Sequence, residues 1–179
     1  DQPAFQFGSY VYSNYRRSTN SGATWSSIAL GGGSWGRFIN PTDYDDINNH
    51  QYGPDDPDYF QRWTNAQTSS TYDFFDMTAS FAGGQVTSTK VSTYTPNRVF
   101  FGLSNGRIVR VDNANTGAPA GTNITGTGMS ASNVSCVAAG TTDNNLLATF
   151  SNYGSIHVWF STVGGGAAGW TNITGTGLP

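Results

Sequence analysis

An all-β fold built from repeated four-stranded antiparallel units is what this sequence predicts, and three features predict it. The first is composition. The 179 residues carry only 11% charged side chains; every acid is Asp, and Lys90 is the one lysine. Gly, Ser, Thr and Asn together approach half of the chain, so strong helix formers are scarce and turn formers abundant. The second is the placement of Tyr, Phe and Trp, which make up 14% of the chain and fall in short alternating clusters. Disordered chains lack such clusters. The third is an internal repeat: the octapeptide starting at Thr122 (TNITGTGM) returns at Thr171 (TNITGTGL), 49 residues on.

A period of 40–50 residues in a β-rich chain matches β-propeller blades of four strands each. The alternative is two similar hairpins within a β-sandwich. The third and fourth units show the pattern best. Gln85–Ser92 alternates as a first strand and Asn97–Leu103 is an apolar second strand. Asn105-Gly106 then predicts a type I′ hairpin turn into Arg107–Val111, and Thr122–Ile124 is the fourth strand. The next unit repeats the order with Asn133–Ala139, Leu146–Phe150, Ile156–Phe160 and Trp170–Ile173.

The first two units are more divergent. Phe5–Phe7, Tyr10–Arg17 and Trp25–Ile28 read as strands, as do Gly36–Ile39, His50–Tyr52, Tyr59–Trp63 and Tyr72–Phe75. The whole is a single propeller segment over 1–179 with approximate blades at 1–30, 35–76, 79–128 and 129–177, about three and a half in all.

Ser18, Asn20, Gly22, Thr24 and Trp25 stand in the spacing S-x-N-x-G-x-T-W. This resembles the Asp-box of the bacterial neuraminidase repeat, with Asn20 at the Asp position. An Asx side chain in such a turn accepts backbone N–H groups, and Gly supplies a positive φ. The resemblance implies that Trp25 packs between blades. Ser161–Trp170 reads as a lengthened copy that has lost its Asx residue. With the phrases Gly36–Asp45, Asn97–Asp112 and Trp170–Ile173, the chain is similar to large secreted bacterial propellers of the sortilin and xyloglucanase type, many exported by the type IX pathway. These motifs mark blades, not active sites. Such propellers hold six to ten blades, so the resemblance implies a fragment, or the ordered part, of a larger secreted or cell-surface protein. An open blade edge would then be free to pair with the rest of the polypeptide or with another chain.

Several function classes are excluded or weakened. A net charge of −3 and the isolated Arg16-Arg17 pair argue against nucleic acid. No run of 18 apolar residues can span a membrane. No signal peptide or starting Met is visible, which reads as a processed or excised chain. Low Lys and Glu with abundant Thr, Asn and Gly fits extracellular bacterial β-proteins. The sequons at Asn123, Asn133 and Asn172 would matter only in a eukaryotic secretory pathway. Sialidase chemistry, which the resemblance brings to mind, needs a Tyr activated by Glu, and this segment has no Glu.

Candidate chemistry rests on few residues. Asp43, Asp45 and Asp46 form a weak candidate calcium cluster, but the EF-hand spacing fails at Ile47 and Asn48, and a polar turn is the plainer reading. A second acidic cluster spans Asp55–Asp58. Xyloglucanase-type propellers use two Asp residues as acid and base; Asp43, Asp45 and Asp73 are candidates by residue type alone. His50, His157 and Cys136 have no zinc spacing, and Cys136 alternates as a small core residue. Tyr10, Tyr12, Tyr15, Tyr59 and Trp63 could present rings to a sugar, or could pack blade against blade. The resulting expectation is a non-catalytic extracellular module that binds a glycan or a protein and has no cofactor, with a propeller glycoside hydrolase as the alternative.

Overall fold

A computed structural model describes residues 4–33, 35–154 and 156–176. Four antiparallel sheets form among these residues, each a meander of strands consecutive in sequence. The first holds β1 (Gln6–Ser9), β2 (Asn14–Ser18) and β3 (Ser26–Ala29). The second holds β4 (Asp43–Asp45), β5 (His50–Pro54), β6 (Tyr59–Thr64) and β7 (Tyr72–Asp76). The third holds β8 (Val86–Val91), β9 (Val99–Leu103), β10 (Ile108–Asp112) and β11 (Ala120–Asn123). The fourth holds β12 (Val134–Ala139), β13 (Leu146–Phe150), β14 (Val158–Ser161) and β15 (Thr171–Asn172). One sheet lies inside each of the four predicted ranges, and no closed barrel forms among the described residues. One short helix, α1 (Thr78–Phe81), links the second and third sheets. No helix among the described residues is long and apolar enough to cross a membrane.

The repeat has a backbone signature that residue identities conceal. Each sheet turns at a residue of positive φ in the same hairpin: Tyr12 (56°), Asp58 (69°), Gly106 (84°) and Gly154 (73°). These lie 46, 48 and 48 residues apart. By this alignment β1–β3 match the second, third and fourth strands of the other sheets. A second recurrence joins the two central sheets. Asn65 and Asn113 both take positive φ, and the following Ala66 and Ala114 are both fully buried. Their N–H groups donate to the carbonyls of Asn49 and Asn97, each also of positive φ.

The octapeptide repeat has a specific physical purpose. Asn123 Oδ1 accepts the Thr125 N–H (3.0 Å), and Thr125 Oγ1 accepts the Ile108 N–H (2.8 Å). In the fourth sheet Asn172 Oδ1 accepts the Thr174 N–H (2.9 Å), and Thr174 Oγ1 accepts the Val158 N–H (3.0 Å). The last strand ends early, and a threonine hydroxyl satisfies the backbone donor it would have covered.

The sheets stack face to face in chain order. Tyr15 and Ile28 of the first pack with Trp63 and Ala66 of the second. Tyr52 and Phe60 of the second pack with Phe101, Val109 and Val111 of the third. Phe100, Ile108 and Ile124 of the third pack with Val137, Leu146 and Trp159 of the fourth. Neighbours Phe100 and Phe101 thus point into different cores, which is why all of Val99–Leu103 is buried and reads as a continuous apolar run. Arginines stitch the seams. Arg17 donates to the carbonyls of Ala66 (2.9 Å) and Ser69 (2.6 Å), and Arg62 to those of Ala114 (2.8 Å) and Thr116 (2.7 Å).

The structure corrects several expectations. Gly36–Ile39 is not a strand. Asn40 pins it as a loop, accepting the Arg37 N–H and donating to the carbonyls of Tyr10 and Tyr12. The acidic stretch Asp43–Asp45 is the first strand of its sheet instead of a turn. Tyr10–Ser13 is a turn, so β2 begins only at Asn14. The Asn105-Gly106 hairpin forms, but only Gly106 has positive φ. Its N–H reaches back to the Leu103 carbonyl (3.2 Å), and the Leu103 N–H donates to the Arg107 carbonyl (2.9 Å). This is a three-residue loop closed by a bulge, not a type I′ turn. Asn105 is thereby freed to donate to the carbonyls of Phe81 and Ala82 at the end of α1. Cys136 is exposed, because a register shift between Val134 and Cys136 breaks the alternation.

Candidate functional site

The Asp-box-like turn closes as its residue types require. Ser18 Oγ accepts the N–H of Gly22 (2.8 Å), and Asn20 Oδ1 accepts the N–H of Thr24 (2.9 Å). Asn20 Nδ2 donates to Thr24 Oγ1 (2.9 Å). Ser161 Oγ accepts the N–H of Val163 and Gly165 in the same way, which supports reading that loop as a copy. The two tryptophans differ. Trp170 Nε1 donates across to the Ile124 carbonyl of the third sheet (2.7 Å), with its ring against Gly126. Trp25 is half exposed and donates to its own turn at the Gly22 carbonyl, so it is not packed between sheets as expected.

The candidate ligand-face aromatics separate by burial. Tyr15 (3% exposed) and Trp63 (1%) are core residues at the first seam, so neither offers a ring to a ligand. Tyr10 and Tyr12 are exposed, and Tyr12 meets Phe38 edge-on with ring centroids 6.5 Å apart. Tyr59 lies beside an open trough.

That trough follows β7, the last strand of the second sheet. Three shallow hollows lie along it, successive ones sharing lining residues. The first, about 250 Å³, is lined by Trp35, Asp55, Asp56, Tyr59 and Phe74. The second, about 620 Å³, shares Phe74 and lies between Tyr72–Asp76 and Gly117–Pro119. The third, about 380 Å³, shares Asp76 and extends over Thr78–Ser80 toward Asn123. Phe74 is exposed because an edge strand shows one row of side chains to solvent, and Trp35 because the loop before β4 holds it away from the core. Tyr59 and Phe74 stand nearly perpendicular at 6.4 Å. Trp35, Phe74 and Asp55 carry the site, and an aromatic count alone could not single them out. A cheap sequence signal existed for Asp55, which opens the Asp55–Asp58 cluster.

The trough is acidic. Burial raises the Asp55 carboxyl to about 6, and repulsion from Asp56 adds to the rise. The Thr78 hydroxyl and N–H hold Asp76 below the usual carboxylate range. The Asp76 charge is in turn the main cause raising the Tyr59 hydroxyl. Asp73 alone of the trough acids is paired, to Arg62 at 2.8 Å. The other ion pairs among the described residues use Asp43, Asp112 and Asp143, elsewhere.

The remaining candidates serve the fold. Asp43 Oδ2 accepts from Lys90 Nζ (2.9 Å) and from the Val91 N–H (2.8 Å), tying the second sheet to the third. Asp45 is buried, and its oxygens accept the N–H groups of Ile47 and Asn48 and the Asn48 amide. Its oxygens are thus committed to the turn. No group of three or more metal-ligating side chains converges among the described residues. Of Asp43, Asp45 and Asp73, only Asp73 lines the trough. His50 is buried, its basicity lowered chiefly by loss of water, and His157 Nδ1 lies 3.2 Å from the Phe150 carbonyl.

No family model matches the chain, and no curated protein matches it.

Proposed function

We propose that this chain is a non-catalytic binding module, a run of Asp-box-type propeller blades in a larger secreted protein, that holds a glycan along the β7 trough. The observation that carries the reading is the pairing of exposed rings, Trp35 and Phe74, with carboxylates outside any ion pair among the described residues, Asp55 and Asp56, in the first hollow. Rings stack on the apolar faces of sugars, and carboxylates accept hydroxyl hydrogens.

The stacked three- and four-stranded meanders with their 46–48-residue spacing support the propeller reading. So does Ile173. Its equivalent, Ile124, is 4% exposed beneath the fourth sheet, whereas Ile173 is 49% exposed. A further sheet of this type, from the rest of a larger polypeptide or from another chain, would cover it. One observation favours the hydrolase alternative, namely that burial raises the Asp55 carboxyl to about 6, so that part of it holds a proton it can donate near that pH.

Calorimetric titration of the full chain with a panel of neutral oligosaccharides tests the reading. Binding by at least one glycan is expected, weakened about tenfold, or 1.4 kcal/mol, by Phe74→Ala. Absence of binding across the panel, or binding indifferent to Phe74, would refute it. Release of reducing ends that is lost in Asp55→Asn would establish the hydrolase instead.

A further inference from the structure

We propose that the first hollow of the trough is a cage for a compact organic cation, and that the group it takes is a quaternary ammonium head such as that of choline. The proposal rests on the trough being the ligand site and names the chemistry of its inner end.

The walls are aromatic on three sides. Trp35 (48% exposed) and Phe74 (60% exposed) present ring surface to solvent, and Tyr59 stands against Phe74 at 72°. Tyr59 and Phe74 meet edge to face, so the electron-rich faces left for a guest are those not engaged in this contact, beside the ring of Trp35. Such faces attract a cation within about 6 Å of a ring centroid, and methylated ammonium groups are the favoured guests because they shed water readily.

The floor is anionic and has no counter-ion among the described residues, although the Asp56 N–H donates to the Asp55 carboxylate. Asp55 is 7% exposed and lines the hollow beside Asp56. Neither joins an ion pair among the described residues. One guanidinium on this side of the molecule is drawn away: Arg37 donates to Gln85 Oε1, and Gln85 Nε2 donates to the Asp55 backbone carbonyl instead of its carboxylate. Asp58 and Asp76 add to the negative field that acts on Tyr59. A buried carboxylate facing a cavity without a counter-ion is costly, and a bound cation would remove that cost.

Size separates this hollow from the remainder of the trough. About 250 Å³ is below the roughly 300–1,000 Å³ that drug-sized ligands occupy, so it suits a headgroup more than a sugar chain. The wider second hollow, at about 620 Å³, is also lined by Phe74. A ligand with a cationic end and a longer polar body fits this sequence of spaces.

The test is calorimetric titration of the full chain with choline at constant ionic strength. A parallel titration uses 3,3-dimethylbutan-1-ol, which has the same shape without the charge. Choline should bind at least tenfold more tightly than the neutral isostere. Trp35→Ala and Asp55→Asn should each weaken it about tenfold, one removing a wall and the other the charge. Trp35 is half exposed, so its loss leaves the fold intact, and circular dichroism of both variants checks this. No choline binding at tens of millimolar, equal binding of the isostere, or variants that bind like the parent would each overturn the proposal. If neutral oligosaccharides bind and choline does not, the cation cage alone is refuted. If choline binds and no glycan does, the cage stands and the glycan reading falls.

Discussion

Asp55 makes a prediction whose sign runs against intuition. A carboxyl raised from 3.8 to about 6 by burial binds its proton more tightly in the folded state than in the unfolded chain. Between about pH 4 and pH 6 the folded state therefore holds more protons, and stability falls as pH rises through that window. Above pH 6 the full penalty remains. A two-unit rise corresponds to at most about 3 kcal/mol. The hollow is open to water on one side, so screening reduces this to about 1–2 kcal/mol. Asp56 and the hydroxyls of Tyr15 and Tyr59 are the other titratable groups that feel this charge; both hydroxyls are raised, Tyr15 mainly by burial and Tyr59 mainly by Asp76, and stay neutral throughout the range. Asp55→Asn keeps the shape and removes the charge. It should stabilise the protein by about 1–2 kcal/mol at pH 7.5, have little effect at pH 4, and flatten the profile between them. Urea denaturation followed by circular dichroism at half-unit pH steps measures this. A variant less stable than the parent at pH 7.5, or one with an unchanged slope between pH 4 and 6, would refute the assignment.

Two further predictions concern the seams and the repeat. Arg62→Met removes two hydrogen bonds to loop carbonyls and the partner of Asp73, and should cost about 2–4 kcal/mol by urea denaturation. Arg62→Lys should recover only part, because a single ammonium cannot reproduce the guanidinium fork. Thr125→Val and Thr174→Val each leave one strand N–H without its hydroxyl acceptor. Each should cost about 1 kcal/mol, and hydrogen exchange should accelerate at Ile108 in the first variant and at Val158 in the second. Exchange rates left unchanged at those amides would sever the two repeats' claimed equivalence.

Much of the strand pattern was legible because it depends on neighbours in sequence. Alternation, Asn-Gly turns and the TNIT phrase all act over a few residues, so the third and fourth sheets lie close to where the sequence places them. The local turn at Ser18–Trp25 likewise forms from its own side chains. The weaker first half failed where tertiary partners decide. Gly36–Ile39 alternates like a strand, yet Asn40 ties that loop to the Tyr10–Tyr12 turn. The 48-residue recurrence of Asn65-Ala66 and Asn113-Ala114 was visible in the letters and easily passed over, because its conserved content is a backbone conformation.

By itself the sequence determined the class of structure, all-β meanders in repeated units, since a chain rich in Thr, Asn, Gly and aromatics and free of Glu has few stable alternatives. It also placed the turns at Ser18–Trp25 and Asn105-Gly106, because Asx capping and positive φ are local demands, but not those at Tyr10–Ser13 and Gly36–Ile39. Only the tertiary structure decided which rings are walls and which are core. Trp63 and Trp35 have the same chemistry, but one is sealed between two sheets and the other faces water beside Asp55. Burial is set by what another sheet places opposite a residue, and a single register shift, as at Cys136, reverses it. The acidity of the trough is decided in the same way. It comes from carboxylates on two separate stretches of the chain, Asp55–Asp56 and Asp73–Asp76, of which only Asp73 is paired with an arginine among the described residues.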